Sequence, residues 1–173
     1  MRRRILAALA LALAATSACR SVDLPTGAEA SADDTRRIAI EAVLDDFHLA
    51  ASQADGARYF AHMTGDAVFL GTDATERWSR AAFHAYATPY FSKGTGWTYT
   101  STERHVSLSP SGDAAWFDER LWNDKYGETR GSGALVFDGL AWRIAQYNLT
   151  IPVPNDLAGE LVRKIRAAED GAQ

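Results

Sequence analysis

One cysteine, Cys19, stands in the whole sequence, so no disulfide can form within the chain. Apolar runs are short: the longest, Ile5 to Ala15, falls below the ~20 residues a helix needs to span a bilayer. No Lys/Arg run follows the first residues, and the formal net charge is −4. A nucleic-acid backbone needs a concentrated basic surface, so nucleic acid is not an expected partner. His48, His62, His84 and His105 are scattered, with no HExxH and no Cys/His cluster, so neither a zinc site nor another cofactor is predicted. Gly131-Ser132-Gly133 lacks both the spacing and the following helix of a nucleophile elbow or a phosphate loop. What the chain does have is a core: 47% hydrophobic residues and five Trp against 23% charged residues argue for a folded domain.

The first residues read as an address. Arg2, Arg3 and Arg4 precede the apolar run, and small residues Ser17 and Ala18 follow it, the pattern of a secretory leader. Thr16-Ser17-Ala18-Cys19 resembles a bacterial lipoprotein box, in which the cysteine is lipidated and becomes the mature N-terminus; Thr16 stands where Leu is usual. Ordinary cleavage near Ala18 is the alternative. Either outcome places the protein outside the cytoplasm, periplasmic or held to a membrane through Cys19 alone. The expected organisation is a leader over 1–19, a flexible tether over 20–32, one domain over 33–168 and a disordered tail over 169–173.

Within the domain the hydrophobic period changes once. Ile40, Leu44, Phe47 and Ala51 recur at three- and four-residue steps, capped by Ser31, Asp33 and Asp34. A short helix over 57–63, a buried strand over 66–73 and a third helix over 79–91 follow. From Gly96 the period becomes two, giving strands over 97–109, 114–126, 129–138 and 141–151. Pro110-Ser111-Gly112-Asp113, Tyr126-Gly127-Glu128 and Asp138-Gly139 are the turns between them, short enough to make neighbours antiparallel. Pro152 and Pro154 close the last strand, and an amphipathic helix with Leu157, Leu161 and Ile165 on one side ends the domain. Helices first and a strand meander afterwards predict an α+β fold, with helices covering one face of an antiparallel sheet.

Alternation assigns two faces. Arg104, Phe117, Glu119, Leu121, Asn123, Leu135, Trp142, Ile144, Gln146 and Asn148 share the inner set; Trp116, Asp118, Arg120, Trp122, Arg130, Arg143 and Tyr147 share the outer one. A β-bulge would exchange the sets locally, and Gly131 and Gly133 mark a bend. The inner set is odd at its end, since Gln146 and Asn148 bring two amides to a face that starts as core.

Several stretches resemble the NTF2-like superfamily and its SnoaL-like branch: Phe47 to Trp78, Trp97-Thr98-Tyr99, Ala115 to Glu119, and Trp142 to Asp156. The resemblance spans about residues 35–160. It implies a cone, in which a curved, mostly antiparallel sheet wraps around the N-terminal helices and leaves a cavity at its wide end. It also implies a range of roles: isomerases, dehydratases, cyclases and proteins that only bind. The catalytic arrangements of the isomerases are not carried over to this chain.

On that cone Gln146, Asn148, Glu119, Asn123 and Arg104 are expected to form one polar wall of the cavity. Phe47, His48, Trp97, Tyr99 and Trp142, with Trp78, would supply aromatic walls or rim. The leading reading is a binder of a small, partly apolar organic molecule. A second is an isomerase, dehydratase or cyclase with Glu119 as general base and His48 and Arg104 assisting, because a carboxylate in an apolar cavity has a raised pKa. A salt bridge of Glu119 to Arg104 is the structural alternative. A third reading is a non-catalytic dimeric module. Trp116, Arg120, Trp122, Arg130, Arg143 and Tyr147 make an outer patch of the residue types enriched in interfaces.

Overall fold

The computed structural model describes residues 31–171. The leader, Cys19, tether residues 20–30 and the last two tail residues lie outside them.

Helix α1 (Ala32–Ser52) begins with a capping box: Ser31 Oγ accepts from the Asp34 N–H at 3.1 Å, and Asp34 accepts from the Ser31 N–H at 3.2 Å. Its stripe Ile40, Leu44, Phe47, Ala51 is buried, as the periodicity predicts. Complete burial of Ile40 and Leu44 stabilises by ~1.5–3 kcal/mol each. Asp55 caps the short α2 (Gly56–Ala61) by accepting from the Arg58 N–H at 3.0 Å. β1 (Met63–Leu70) follows, then β2 (Arg77–Ser79), a strand too short to show a period, and α3 (Arg80–Phe91).

The meander is β3 (Thr100–Leu108), β4 (Ala114–Asn123), β5 (Gly127–Phe137) and β6 (Trp142–Thr150). Gly112, Gly127 and Gly139 sit at the three predicted turns with φ of 72°, 71° and 96°, a conformation that a side chain would strain. Residues 97–99, expected in the third-last hairpin's first strand, are irregular; the Trp97 N–H donates to the Ala51 carbonyl at 3.3 Å, at the end of α1.

The sheet runs β2-β1-β6-β5-β4-β3. All pairs are antiparallel except β1 with β6. The expected α+β architecture is present: a curled sheet with the N-terminal helices on its concave side and a helix at the C-terminus. Phe47, Tyr59, Phe60, Phe69 and Phe83 join Phe117, Leu121, Leu135 and Ile144 in one core.

Two irregularities set what faces that core. Pairing skips Thr102 in β3 and Ala145 in β6. Leu135 pairs with Ile144, but Ala134 pairs with Gln146, so β6 flips faces after Ala145. The alternation that sends Gln146 and Asn148 inward therefore fails. Gln146 is exposed, Asn148 is half-buried opposite Ser132 on the outer face, and Tyr147 and Leu149 are buried. Tyr147, placed outside by sequence, is core. The opening for this shift is on β5: the space a Cβ would need at Gly133 is occupied by the Gln146 carbonyl.

Helix α4 (Asn155–Asp170) forms as predicted, yet it buries no side chain. Leu157, Leu161 and Ile165 are 52%, 39% and 47% exposed. No helix among the described residues is long and apolar enough to cross a membrane.

Candidate functional site

Two neighbouring features matter: a buried ionic cluster and an open aromatic cavity. The sequence reading joins them in one site, and the structure separates them.

Glu119 is 1% exposed at the centre of β4. Its register neighbours are Arg104 on β3 and Gly131 on β5. Oε2 accepts from Arg104 Nε at 2.8 Å, with Nη2 of the same guanidinium 2.8 Å away. Nη2 is off line for a hydrogen bond, and it is the buried side-chain nitrogen among the described residues that lacks one. Oε1 accepts from His48 Nε2 at 2.8 Å and from the Tyr147 hydroxyl at 3.0 Å. Arg104 Nη1 also donates to Asp45 at 2.8 Å and to the Glu41 carbonyl at 3.3 Å. Glu41, Asp45 and His48 share one stripe of α1 at steps of four and three. The cluster therefore ties that helix to β3, β4 and β6.

Burial pushes the Glu119 carboxyl up, but the His48 hydrogen bond and charge and the Arg104 guanidinium outweigh it. The net shift is downward from the ordinary carboxylate value. Burial and the adjacent Glu119 charge push the Tyr147 hydroxyl well above its usual range, so it stays a donor. An ionised carboxylate with donors on both oxygens is poorly placed to take a proton from a substrate. The expectation of a raised pKa is overturned, because burial comes with partners. Glu119 here pairs with Arg104, the structural alternative, and also with His48. Gly131 belongs to the same design, since a Cβ there would meet the Tyr147 hydroxyl and lie 2.8 Å from Glu119 Oε1.

A second charged knot holds α1 to α2. Asp46 accepts from Arg58 through both oxygens and from His62 at 2.7 Å. The Arg58 hydrogen bond, helped by His62, draws the Asp46 carboxyl down to about 2. Among the described residues no three His, Cys, Asp or Glu side chains are grouped so as to hold a metal ion.

The cavity opens elsewhere, between α3, the β1–β2 turn, residues 96–100 and the β4–β5 turn, with a volume of about 650 Å³. Phe69, Phe83 and Leu149 line it alongside Trp78, Tyr86, Tyr90, Trp97, Tyr99, Trp122 and Tyr126. Trp78 and Tyr86 lie with ring centres 5.2 Å apart, Tyr86 and Tyr90 5.5 Å apart. Trp97 is set by packing on Phe91 at 4.6 Å, and by Gly96, whose missing side chain lets the backbone close on the Ala51 carbonyl. Burial raises the Tyr99 phenol to about 12, and burial together with Tyr90 raises that of Tyr86. Glu76, Asp124 and Lys125 are the charged residues of the lining.

Of the residues expected at a cavity, Trp97, Tyr99, Asn123 and Trp78 line this one. Asn123 is occupied with structure: it donates to the Thr98 carbonyl at 2.8 Å and accepts from the Lys125 and Tyr126 N–H groups at 3.0 Å each. Phe47 and Trp142 are core. His48, Arg104 and Glu119 form the ionic cluster, and Gln146 and Asn148 point outward; none of these five lines the cavity. Tyr86, Tyr90 and Tyr126 were not expected at a cavity, and Trp122, expected in the outer patch, also lines this one. The four-residue spacing of Tyr86 and Tyr90 on α3 was the available signal, but it also fits helix packing.

A family model described as "SnoaL-like domain" matches residues 40–154. A search of curated protein sequences finds no match. Solved structures similar to this chain share its fold at low identity. A protein of unknown function from Mycobacterium tuberculosis is 19% identical with a TM-score of 0.61, covering 77% of this chain and 82% of its own. An NTF2-like protein of unknown function from Pseudomonas putida is 15% identical with a TM-score of 0.56, covering 67% and 86%. A proposed dehydratase of the NTF2-like family from Streptomyces avermitilis is 12% identical with a TM-score of 0.59, covering 70% and 99%.

Proposed function

We propose that this chain, which belongs to the SnoaL-like domain family, binds a small, partly apolar organic molecule in the aromatic cavity. One observation carries the reading. Six aromatic side chains of the described residues are exposed: Tyr86, Tyr90, Trp116, Trp122, Tyr126 and Phe137. Four of them, Tyr86, Tyr90, Trp122 and Tyr126, surround the mouth of this one cavity. Large aromatic surface left in water around a single opening is the arrangement expected where a ligand completes the burial. A volume of about 650 Å³ lies within the range of small-molecule sites.

A neutral fluorescent probe, N-phenyl-1-naphthylamine, should bind saturably with one equivalent per chain. Thr72→Trp, at an exposed position of the mouth, is expected to abolish the signal with an unchanged melting temperature. Equal binding by that variant would place the ligand elsewhere and refute the assignment.

The leader pattern and Cys19 support an exported, lipid-tethered protein. We propose further that two copies pair. Trp116 is 55% exposed on the outer sheet, and the Leu157, Leu161, Ile165 stripe of α4 is uncovered. Two of the three arginines of that face have partners: Arg120 bonds Glu128 and Glu103, and Arg143 bonds Asp138. The apolar surfaces, rather than the arginines, are therefore the expected seam. Light scattering should give twice the chain mass, and a monomer at high concentration would reject the pairing.

A further inference from the structure

We infer that the ligand of the aromatic cavity is an organic cation, a quaternary or tertiary ammonium carrying an apolar or aromatic body. The inference rests on the binding reading above and adds the sign of the charge.

The lining carries two carboxylates, Glu76 and Asp124, and one ammonium, Lys125, a net charge of −1. That ammonium is already engaged, 4.7 Å from the centre of the Tyr126 ring. An anionic ligand would thus meet two like charges and no free cation among the described lining residues. A cation would meet the reverse. Both carboxylates are held at the rim. Glu76 folds over Gly71, where no side chain stands in its way, and accepts from the Asp73 N–H at 3.2 Å. Asp124 accepts from Trp122 Nε1 at 3.2 Å, which fixes that indole beside the mouth.

The walls suit the same guest. Trp and Tyr faces carry the negative side of the ring quadrupole and attract cations over them. Trp78 and Tyr86 meet at 32°, and Tyr86 and Tyr90 at 47°, so the three rings touch in tilted contacts and make one continuous aromatic wall. The Lys125 ammonium over Tyr126 shows one ring of this mouth already serving as such a seat. A quaternary ammonium also needs no hydrogen-bond partner, and the lining offers phenols and indoles in place of a carboxylate placed for an ion pair at its floor.

Binding is tested by calorimetry on the mature protein with three probes of one shape class: benzyltrimethylammonium, its neutral carbon isostere neopentylbenzene, and benzenesulfonate. The cation is expected to bind ~10-fold tighter than the neutral isostere, with benzenesulfonate weaker than both. The paired substitution Glu76→Gln with Asp124→Asn should lower cation affinity several-fold more than it lowers neutral-probe affinity. Neutral probe binding as tightly as the cation overturns the inference while the cavity reading stands. Tightest binding by benzenesulfonate also overturns it. Failure of all three to bind, with N-phenyl-1-naphthylamine likewise excluded, removes both readings together.

Discussion

Glu119→Ala is expected to lose ~3–5 kcal/mol of folding stability, because it removes the buried counter-charge of the Arg104 guanidinium and leaves only the exposed Asp45 carboxylate on Nη1. Arg104 is 9% exposed at its side chain, and Glu119 is fully covered. The His48 ring and the Tyr147 hydroxyl lose their acceptor in the same step. Chemical denaturation followed by circular dichroism measures the loss. A double variant, Arg104→Met with Glu119→Leu, should recover much of it, since an apolar pair fills the space without a buried charge. A loss below ~1 kcal/mol for the single variant would mean that the cluster does not hold α1 to the sheet.

Acid should act on the same bonds. The folded-state pKa of Glu119 lies below its ordinary 4.5, and that of Asp46 falls from 3.8 to about 2. A carboxyl with a depressed folded pKa contributes stability that is complete above its unfolded value and is lost as pH falls through the folded one. Melting temperature should therefore hold from neutrality down to about 4.5 and decline below it. In Glu119→Gln, already destabilised, the remaining decline should come later, at the lower pH where Asp46 protonates. An identical acid profile for that variant would count against Glu119 as a contributor.

Gly133→Ala is the second large effect. The added Cβ would overlap the backbone carbonyl of Gln146 and lie 3.0 Å from the Phe117 ring. Backbone cannot rotate away as a side chain can, so the cost is expected at ~1–3 kcal/mol or more. The clash falls at the β6 bulge, and relief requires moving Ala145 and everything after it. Tyr147 would be displaced from Glu119, so the Gly133→Ala and Glu119→Ala losses should add to less than their sum. Gly65→Ala, with open space around its Cβ position, is the matched control and should change little. Full additivity would separate the bulge from the ionic cluster.

Much of this chain is legible from residues alone because its periods are clean. The α1 stripe, the β4 alternation and the turn glycines each had one physical solution. On β4, Phe117, Glu119 and Leu121 point inward and Trp116, Asp118, Arg120 and Trp122 outward, as alternation requires. The amides of β6 are where that logic broke. Period two carries no memory of a skipped residue, so a single bulge at Ala145 reversed every later side chain. Gly131 and Gly133 announced a bend, but their partners across the strand could not be read.

The sequence by itself determined the α+β class, the order of its elements apart from the short β2, the buried helix stripe and the position of Glu119 beneath the sheet. Tertiary structure alone decided what Glu119 does, because its charge state depends on Arg104, His48 and Tyr147, which arrive from three other elements. It also decided where the cavity lies. Tyr86 and Tyr90 on α3, Trp97 before β3 and Tyr126 beyond β4 are each ordinary aromatics when read one at a time along the sequence. They become one site only when sheet curvature brings those segments to a common rim, and curvature is a property of the whole sheet that no local period encodes.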